Sequence, residues 1–192
     1  MVRRANEQRP IDLLDAVIRY LVAHGIAEVS LRPLAKAVDS SPRVLLYYFG
    51  SKEDMVVKAL ARLREKQRAE FARMKGASFD SASGACLAIW KHMTAPDSEP
   101  LFRLLFEAYA LALRHPQKFR EFLHNVIEDW LEFLAAPLTG KGCTKSEARA
   151  FATVVLAGFR GFMLDHCASG DRKRLDSAVQ LWLRALDSIP QP

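Results

Sequence analysis

The side chains best suited to chemistry stand together in SLRPLAKAVDSSPRVLLYYFGSKEDM, from Ser30 to Met55. Arg43 carries a planar fork of donors that matches the O6 and N7 acceptors of guanine, and Val44 and Leu46 can meet thymine methyl groups. Tyr47, Tyr48 and Lys52 carry donors with the reach for phosphate oxygens. A guanidinium, two phenols and an ammonium at this spacing suit a polyanion with readable edges, which is duplex DNA. The bland alternative is a three-helix packing unit with solvated arginine and tyrosine. Two adjacent tyrosines beside an arginine on so short a helix argue against it.

The elements that position these groups are legible from local signals. Ser30 stands where it caps a helix beginning at Leu31, whose apolar residues Leu31, Leu34, Ala35 and Val38 recur at helical spacing. Pro33 falls in the first turn, where its missing N–H costs nothing. Asp39-Ser40 leaves room only for a bend, and Ser41 caps a second helix with Pro42 at its first position. Leu45 and Phe49, four apart, face inward and leave Pro42, Arg43, Val44, Leu46, Tyr47 and Tyr48 toward the open side. Ser51 with Asp54 three residues on opens a third helix in a capping-box arrangement, whose dipole and unpaired N–H groups favour phosphate near Lys52. Helix, short turn, helix is the shape that lays a recognition helix in the major groove. Upstream, Ile11, Leu14, Val17, Ile18, Leu21 and Val22 predict a covering helix from Pro10 to about His24, stopped by Gly25. Residues 1–9 read as disordered, with Arg3 and Arg4 on a mobile arm.

This segment resembles the DNA-binding domain of the tetracycline-repressor (TetR) family of bacterial regulators. LRPLAKAV matches the first helix of the motif, SSPRVLLYYFGSKEDM the recognition helix and its exit, and LLDAVIRYLVAHGIAEVSL the apolar helix, glycine and Ser/Thr pattern upstream. The match covers about residues 10–60; the remainder matches only in being helical. The resemblance implies phosphate or base contacts for Ser30, Arg32, Ser41, Pro42, Arg43, Val44, Tyr47, Tyr48 and Lys52. The sequence departs from the family at three positions: Asp39 stands at the usual turn glycine, Leu46 at the first tyrosine of the Tyr-Tyr-His-Phe run, and Tyr48 at its histidine. Asp tolerates the left-handed conformation better than most residues. Base preference therefore does not transfer from a relative.

Charge is concentrated where the motif lies. Residues 1–75 hold 15 Lys/Arg against 9 Asp/Glu, whereas residues 76–192 hold 13 of each. The whole net charge of +6 thus belongs to the head, as a polyanion-binding part on a neutral body requires. Much of the excess is the run Arg62, Arg64, Lys66, Arg68, Arg73 and Lys75, read as a solvated helix face ahead of direct phosphate contact. Half the residues are hydrophobic, which excludes a disordered chain, and no apolar run has the length of a membrane span. MVRRANEQRP lacks the apolar core of a signal peptide, so a cytoplasmic location is expected. Cys86, Cys143 and Cys167 have no paired spacing and read as reduced thiols. No metal site, cofactor or catalytic group is expected. An enzyme built on His92, His124, His166, Cys86 and Cys167 is the weak alternative, since no phosphate loop, nucleophile elbow or His-Glu-x-x-His spacing accompanies them.

The expected architecture is all-α, with about nine helices: a DNA-binding head over residues 1–51, a connecting helix over 52–75, and a ligand-binding and dimerisation body over 76–192. The connecting helix, apolar at its start and charged later, reads as a lever ended by Gly76-Ala77-Ser78. Further helices are expected over Asp80–Thr94, Leu101–Leu113, Gln117–Ala136 (with Pro137–Gly142 a loop), Thr144–Ala168 behind a Thr144/Glu147 capping box, and Asp171 to about Ile189. Trp90, Met93, Phe102, Phe106, Tyr109, Phe119, Phe122, Trp130, Phe159 and Phe162 are mostly core, but a cavity among them would take a small hydrophobic effector, with His92, Tyr109 or His124 as polar anchor. The last two helices present Phe151, Val155, Gly158, Phe162, Val179, Trp182 and Leu186, read as the face of a two-fold dimer or, alternatively, as cover for the subunit's own core. The resemblance implies the dimer, and an effector that moves the lever and changes the spacing of the recognition helices. The leading expectation is a ligand-responsive repressor of a palindromic operator; the alternative within DNA binding is an activator or architectural protein without ligand.

Overall fold

The computed structural model describes residues 2–27, 29–74, 82–139 and 143–187. Among these residues the regular elements are all helices: α1 (Val2–His24), α2 (Leu31–Ala37), α3 (Pro42–Phe49), α4 (Lys52–Met74), α5 (Ala82–Met93), α6 (Glu99–Arg114), α7 (Pro116–Thr139), α8 (Lys145–Ser169) and α9 (Arg172–Asp187). The expected ends at Lys75, Gly76–Ser78, Gly142 and Ile189 lie outside the described residues.

Two expectations are corrected. α1 begins at Val2, so residues 2–9 are helical and the expected arm is its first turns, with Pro10 inside the helix. Arg, Ala, Gln and Glu before the proline are good helix formers, and the proline removes a single N–H from the ladder. α7 likewise runs through Pro137 to Thr139 where a loop was expected. Only two residues follow that proline, so few downstream bonds depend on it.

The chain divides into two compact units, residues 1–69 with 104–124, and residues 70–103 with 125–192. In the first, Val17, Leu21, Leu34, Leu45, Met55, Val56, Ala108 and Phe119 are at most 1% exposed. Each large side chain so buried stabilises the fold by about 1.5–3 kcal/mol. The turns are set by backbones that few residues adopt: Gly25 ends α1 at φ +78°, and Asp39 holds φ +50° between α2 and α3. The aspartate thus takes the left-handed conformation at the position where the resemblance led one to expect a glycine. Ser41 caps α3, its hydroxyl accepting from the Val44 amide at 3.3 Å, while Ser51 and Asp54 cap α4 reciprocally. Ser30 holds the N-cap position of α2 with extended backbone but makes no side-chain cap bond.

In the second unit α5 packs on α9 and α8 on α9, around Trp90, Val155, Phe159, Met163, Leu175 and Val179, each at most 1% exposed. The Trp90 indole N–H donates to Asp176 at 2.6 Å, and Arg172 donates to the Thr94 carbonyl at 2.7 Å, closing the C-terminal end of α5. The Thr144/Glu147 capping box opens α8 as expected, and Gly170 ends it in the left-handed conformation.

Candidate functional site

α3 is anchored by one face. Leu45 is fully buried and Phe49 is 4% exposed, whereas Leu46 is 41% and Tyr47 81% exposed. Arg43 lies exposed beside them; Pro42, Val44 and Tyr48 are half-buried. Tyr47 and Tyr48 meet edge to face with centroids 5.1 Å apart. An apolar side chain and a phenol held out in water beside a guanidinium do no work for the fold, and they match the partners that a groove offers. Beside the start of α3 lies an open cleft of about 380 Å³ lined by Arg32, Ala35, Lys36, Asp39, Ser40, Ser41 and Pro42. Arg32 and Lys36 stand four apart on one face of α2, so they flank this cleft with two cations. Lys36 was not singled out from sequence, although its spacing from Arg32 pointed to it.

The sequence placed Lys52 at phosphate. In the structure its ammonium donates to the Val29 carbonyl at 2.8 Å, tying the start of α4 to the loop before α2. Lys58 similarly donates to the Phe49 carbonyl at 3.2 Å. The basic run on α4 is partly spent within the chain as well. Arg62 grips Asp15 of α1 through two bonds of 2.8 and 2.9 Å, and Lys66 joins at 3.0 Å. Arg62 first, then Lys66, holds the Asp15 carboxyl well below the usual carboxylate range.

Comparison with known proteins matches residues 13–59 to the family described as bacterial regulatory proteins, tetR family. Residues 13–59 thus carry a DNA-binding segment of TetR-family type. HTH-type transcriptional regulator LmrA of Bacillus subtilis is 27% identical over 158 residues, covering 79% of this chain and 82% of that protein. A transcriptional regulator from Rhodococcus superposes with TM-score 0.76 at 20% identity, over 94% of this chain and 99% of its own. FadR from Bacillus subtilis, solved with stearoyl-CoA, gives TM-score 0.61 at 14% identity, over 93% and 97%. These structures share the fold. The chain thus carries the helix-turn-helix segment that the TetR-family model describes, with α2 and α3 as the motif.

The aromatic residues expected around an effector are distributed over both units. Trp90, Met93, Phe102, Trp130, Phe159 and Phe162 belong to the second, and Phe106, Tyr109, Phe122 and His124 to the first. Trp90 and Phe162 meet at 6.2 Å, and Phe159 and Phe162 both edge onto Trp182 at 5.5 and 5.4 Å. His92 and His124 are exposed, which removes them as anchors for a buried ligand. The histidine that sequence reading named only for the enzyme alternative, and not as an anchor, is His166. It is 7% exposed beside Trp90, with neither ring nitrogen in a hydrogen bond and Nε2 3.6 Å from a Glu99 carboxylate oxygen.

The expected dimer face is also redrawn. Val155, Val179 and Leu186 are 1%, 0% and 6% exposed inside their own chain, and Gly158 is filled by the Trp182 ring. Phe151, Phe162 and Trp182 are half-buried. The largest side chains of α8 and α9 therefore cover their own core. What faces outward on α8 is a smaller stripe, Val154, Ala157, Gly161 and Leu164, with Val154 50% and Leu164 53% exposed and open space over Gly161.

Proposed function

We propose that the chain is a ligand-responsive repressor that binds a palindromic operator as a homodimer and is released by a small hydrophobic effector. The observation that carries this reading is the division of α3: Leu45 and Phe49 buried, Arg43, Leu46 and Tyr47 turned outward behind a Ser41 cap. Ser30, Arg32, Ser41, Pro42, Arg43, Val44, Leu46, Tyr47 and Tyr48 make the DNA contacts. Arg43 reads a base edge, and Arg32, with Lys36 added, neutralises phosphate beside the α3 N-terminus. Lys52 keeps two further donors for phosphate while one holds Val29. In functional terms residues 1–51 read DNA, 52–75 connect, and 76–192 bind effector and partner.

The homodimer seam is the Val154–Leu164 stripe of α8, whose small residues allow close helix approach and whose exposed apolar groups want a cover. Two-fold symmetry then presents two copies of α3 to half-sites about 34–36 Å apart or a multiple of that. The effector binds the aromatic body and prefers the conformation that does not fit DNA, so by linkage operator DNA weakens effector binding. A long-chain acyl thioester, as in the FadR neighbour, is the first class to screen. The protein acts as a regulator, not an enzyme, and works in the cytoplasm; among the described residues no helix is long and apolar enough to cross a membrane.

The test is Arg43→Ala against Arg32→Ala, titrated over a salt series with a duplex that the chain selects from a randomised pool. Arg32→Ala weakens all duplexes alike and lowers the salt slope by about 1, while Arg43→Ala relaxes discrimination at one base position by about 1–3 kcal/mol. Both side chains are exposed, so neither change unfolds the chain. Unchanged binding in both variants ends the DNA-reading assignment. Stearoyl-CoA that raises the thermal midpoint and displaces the duplex supports the effector class.

A further inference from the structure

The chain enters the helix-turn-helix near residues 25–27 and leaves it through residues 49–54, and besides Lys52 and Lys58 each passage is held by a charged side chain from α6 or α7. At the entrance, the Glu107 carboxylate of α6 accepts the Ile26 amide, and also the Ala27 amide at 3.3 Å. Gly25 makes this possible twice over. Its φ of +78° turns the following amides to one side, and a Cβ there would stand 2.6 and 2.8 Å from the two carboxylate oxygens. At the exit, the Lys118 ammonium near the start of α7 lies 3.1 Å from Asp54 and donates to the Ser51 hydroxyl at 3.2 Å. Ser51 and Asp54 are the pair that caps α4 directly after α3. Between these two side chains the corner of α6 and α7 is docked by Ala108, Ala112 and Phe119, all at most 1% exposed, and it falls in the same compact unit as the helix-turn-helix.

We infer that Glu107 and Lys118 are positioning residues for DNA reading, holding the entrance and exit of the helix-turn-helix so that α3 presents Arg43 and Tyr47 at a fixed angle. This rests on the DNA-binding reading above. Charge separates it from a direct electrostatic role. Removing Glu107 raises the net charge from +6 to +7, which by attraction alone tightens binding to a polyanion. Loss of affinity on removing a carboxylate therefore comes only through geometry. A carboxylate accepting two amides is a charge-assisted contact, and its loss leaves both donors without that acceptor.

The experiment measures affinity of the full chain for the selected duplex and for a scrambled duplex, by fluorescence anisotropy, with thermal midpoints alongside. Glu107→Leu is expected to weaken the selected duplex at least tenfold while the scrambled duplex is bound as well or better; Glu107→Gln, which keeps an acceptor oxygen, restores most of the loss. Gly25→Ala reaches the same contact from the other side without changing charge and gives the same loss of preference. Lys118→Met, at a half-exposed site that tolerates substitution, lowers the selected-to-scrambled ratio severalfold, and Lys118→Arg recovers it. Selected-duplex affinity that is unchanged or tighter in Glu107→Leu and Lys118→Met overturns the inference. Arg43→Ala run in parallel tells the two readings apart: if it alone loses discrimination, α3 reads DNA but Glu107 and Lys118 do not position it. If Arg43→Ala changes nothing, the DNA-binding reading falls, and this inference with it.

Discussion

Gly158 gives the sharpest check on how α8 meets α9. A Cβ built there lands 2.7 and 2.9 Å from the Cη2 and Cε2 atoms of Trp182, closer than real contacts allow. The indole has little room to retreat, because Phe159 and Phe162 edge onto it with centroids 5.5 and 5.4 Å away. Overpacking of this kind costs about 1–3 kcal/mol. With three indole atoms under 3.0 Å the cost falls in the upper part of that range, about 2–3 kcal/mol. Alanine recovers about 1 kcal/mol of helix propensity over glycine, so the net loss for Gly158→Ala is about 1–2 kcal/mol. For a chain of this size that lowers the thermal midpoint by roughly 2–8 °C, read by circular dichroism at fixed protein concentration. The decisive control is Trp182→Phe, which deletes the part of the ring that the new methyl strikes. In that background Gly158→Ala is neutral or stabilising. A Gly158→Ala variant as stable as the parent, or a penalty that persists with phenylalanine, refutes the account of this contact.

Gly161→Leu fills space that is open within the chain, so it leaves the monomer folded but raises the dimer dissociation constant at least tenfold in sedimentation equilibrium; an unaffected dimer sinks the α8 seam. Asp39→Val forces a branched residue to φ +50° and costs about 1–2 kcal/mol in urea unfolding, whereas Asp39→Gly is neutral or better. Thr144→Ala removes the capping box of α8 and costs about 1 kcal/mol, again read by urea midpoint. Asp15 is ionised more readily in the folded chain than in the unfolded one, so its contribution is complete above the unfolded pKa of about 3.9 and is lost as pH falls below it. The stability gap between the parent and Asp15→Asn is therefore flat above about pH 5 and narrows in acid; a gap that widens there contradicts the Arg62–Asp15 pairing.

What could be read from sequence was local. Ser41 before Pro42, Ser51 before Asp54 and Thr144 before Glu147 fix helix starts within four residues of themselves, and each bond is present. The buried pair Leu45 and Phe49 followed from a spacing of four. What failed was long-range or depended on relative size. Nothing near Lys52 announces a carbonyl 23 residues earlier, and nothing near Ile26 announces a carboxylate 81 residues later. On α8 the bulkiest side chains drew the eye to Val155 and Phe162. A helix with two covered faces gives the bulky ones to its own core and the small ones to whatever lies outside. Residues 2–9 were misjudged because a proline was taken as a boundary where it is an interruption.

α3 also keeps its holding residues and its outward residues on separate faces, and this bears on retargeting. Swapping the side chains at positions 43, 46 and 47 leaves the Leu45 and Phe49 plugs untouched, since those three are exposed. A combinatorial library confined to these positions therefore yields folded members almost throughout, and selection among them acts on sequence preference alone.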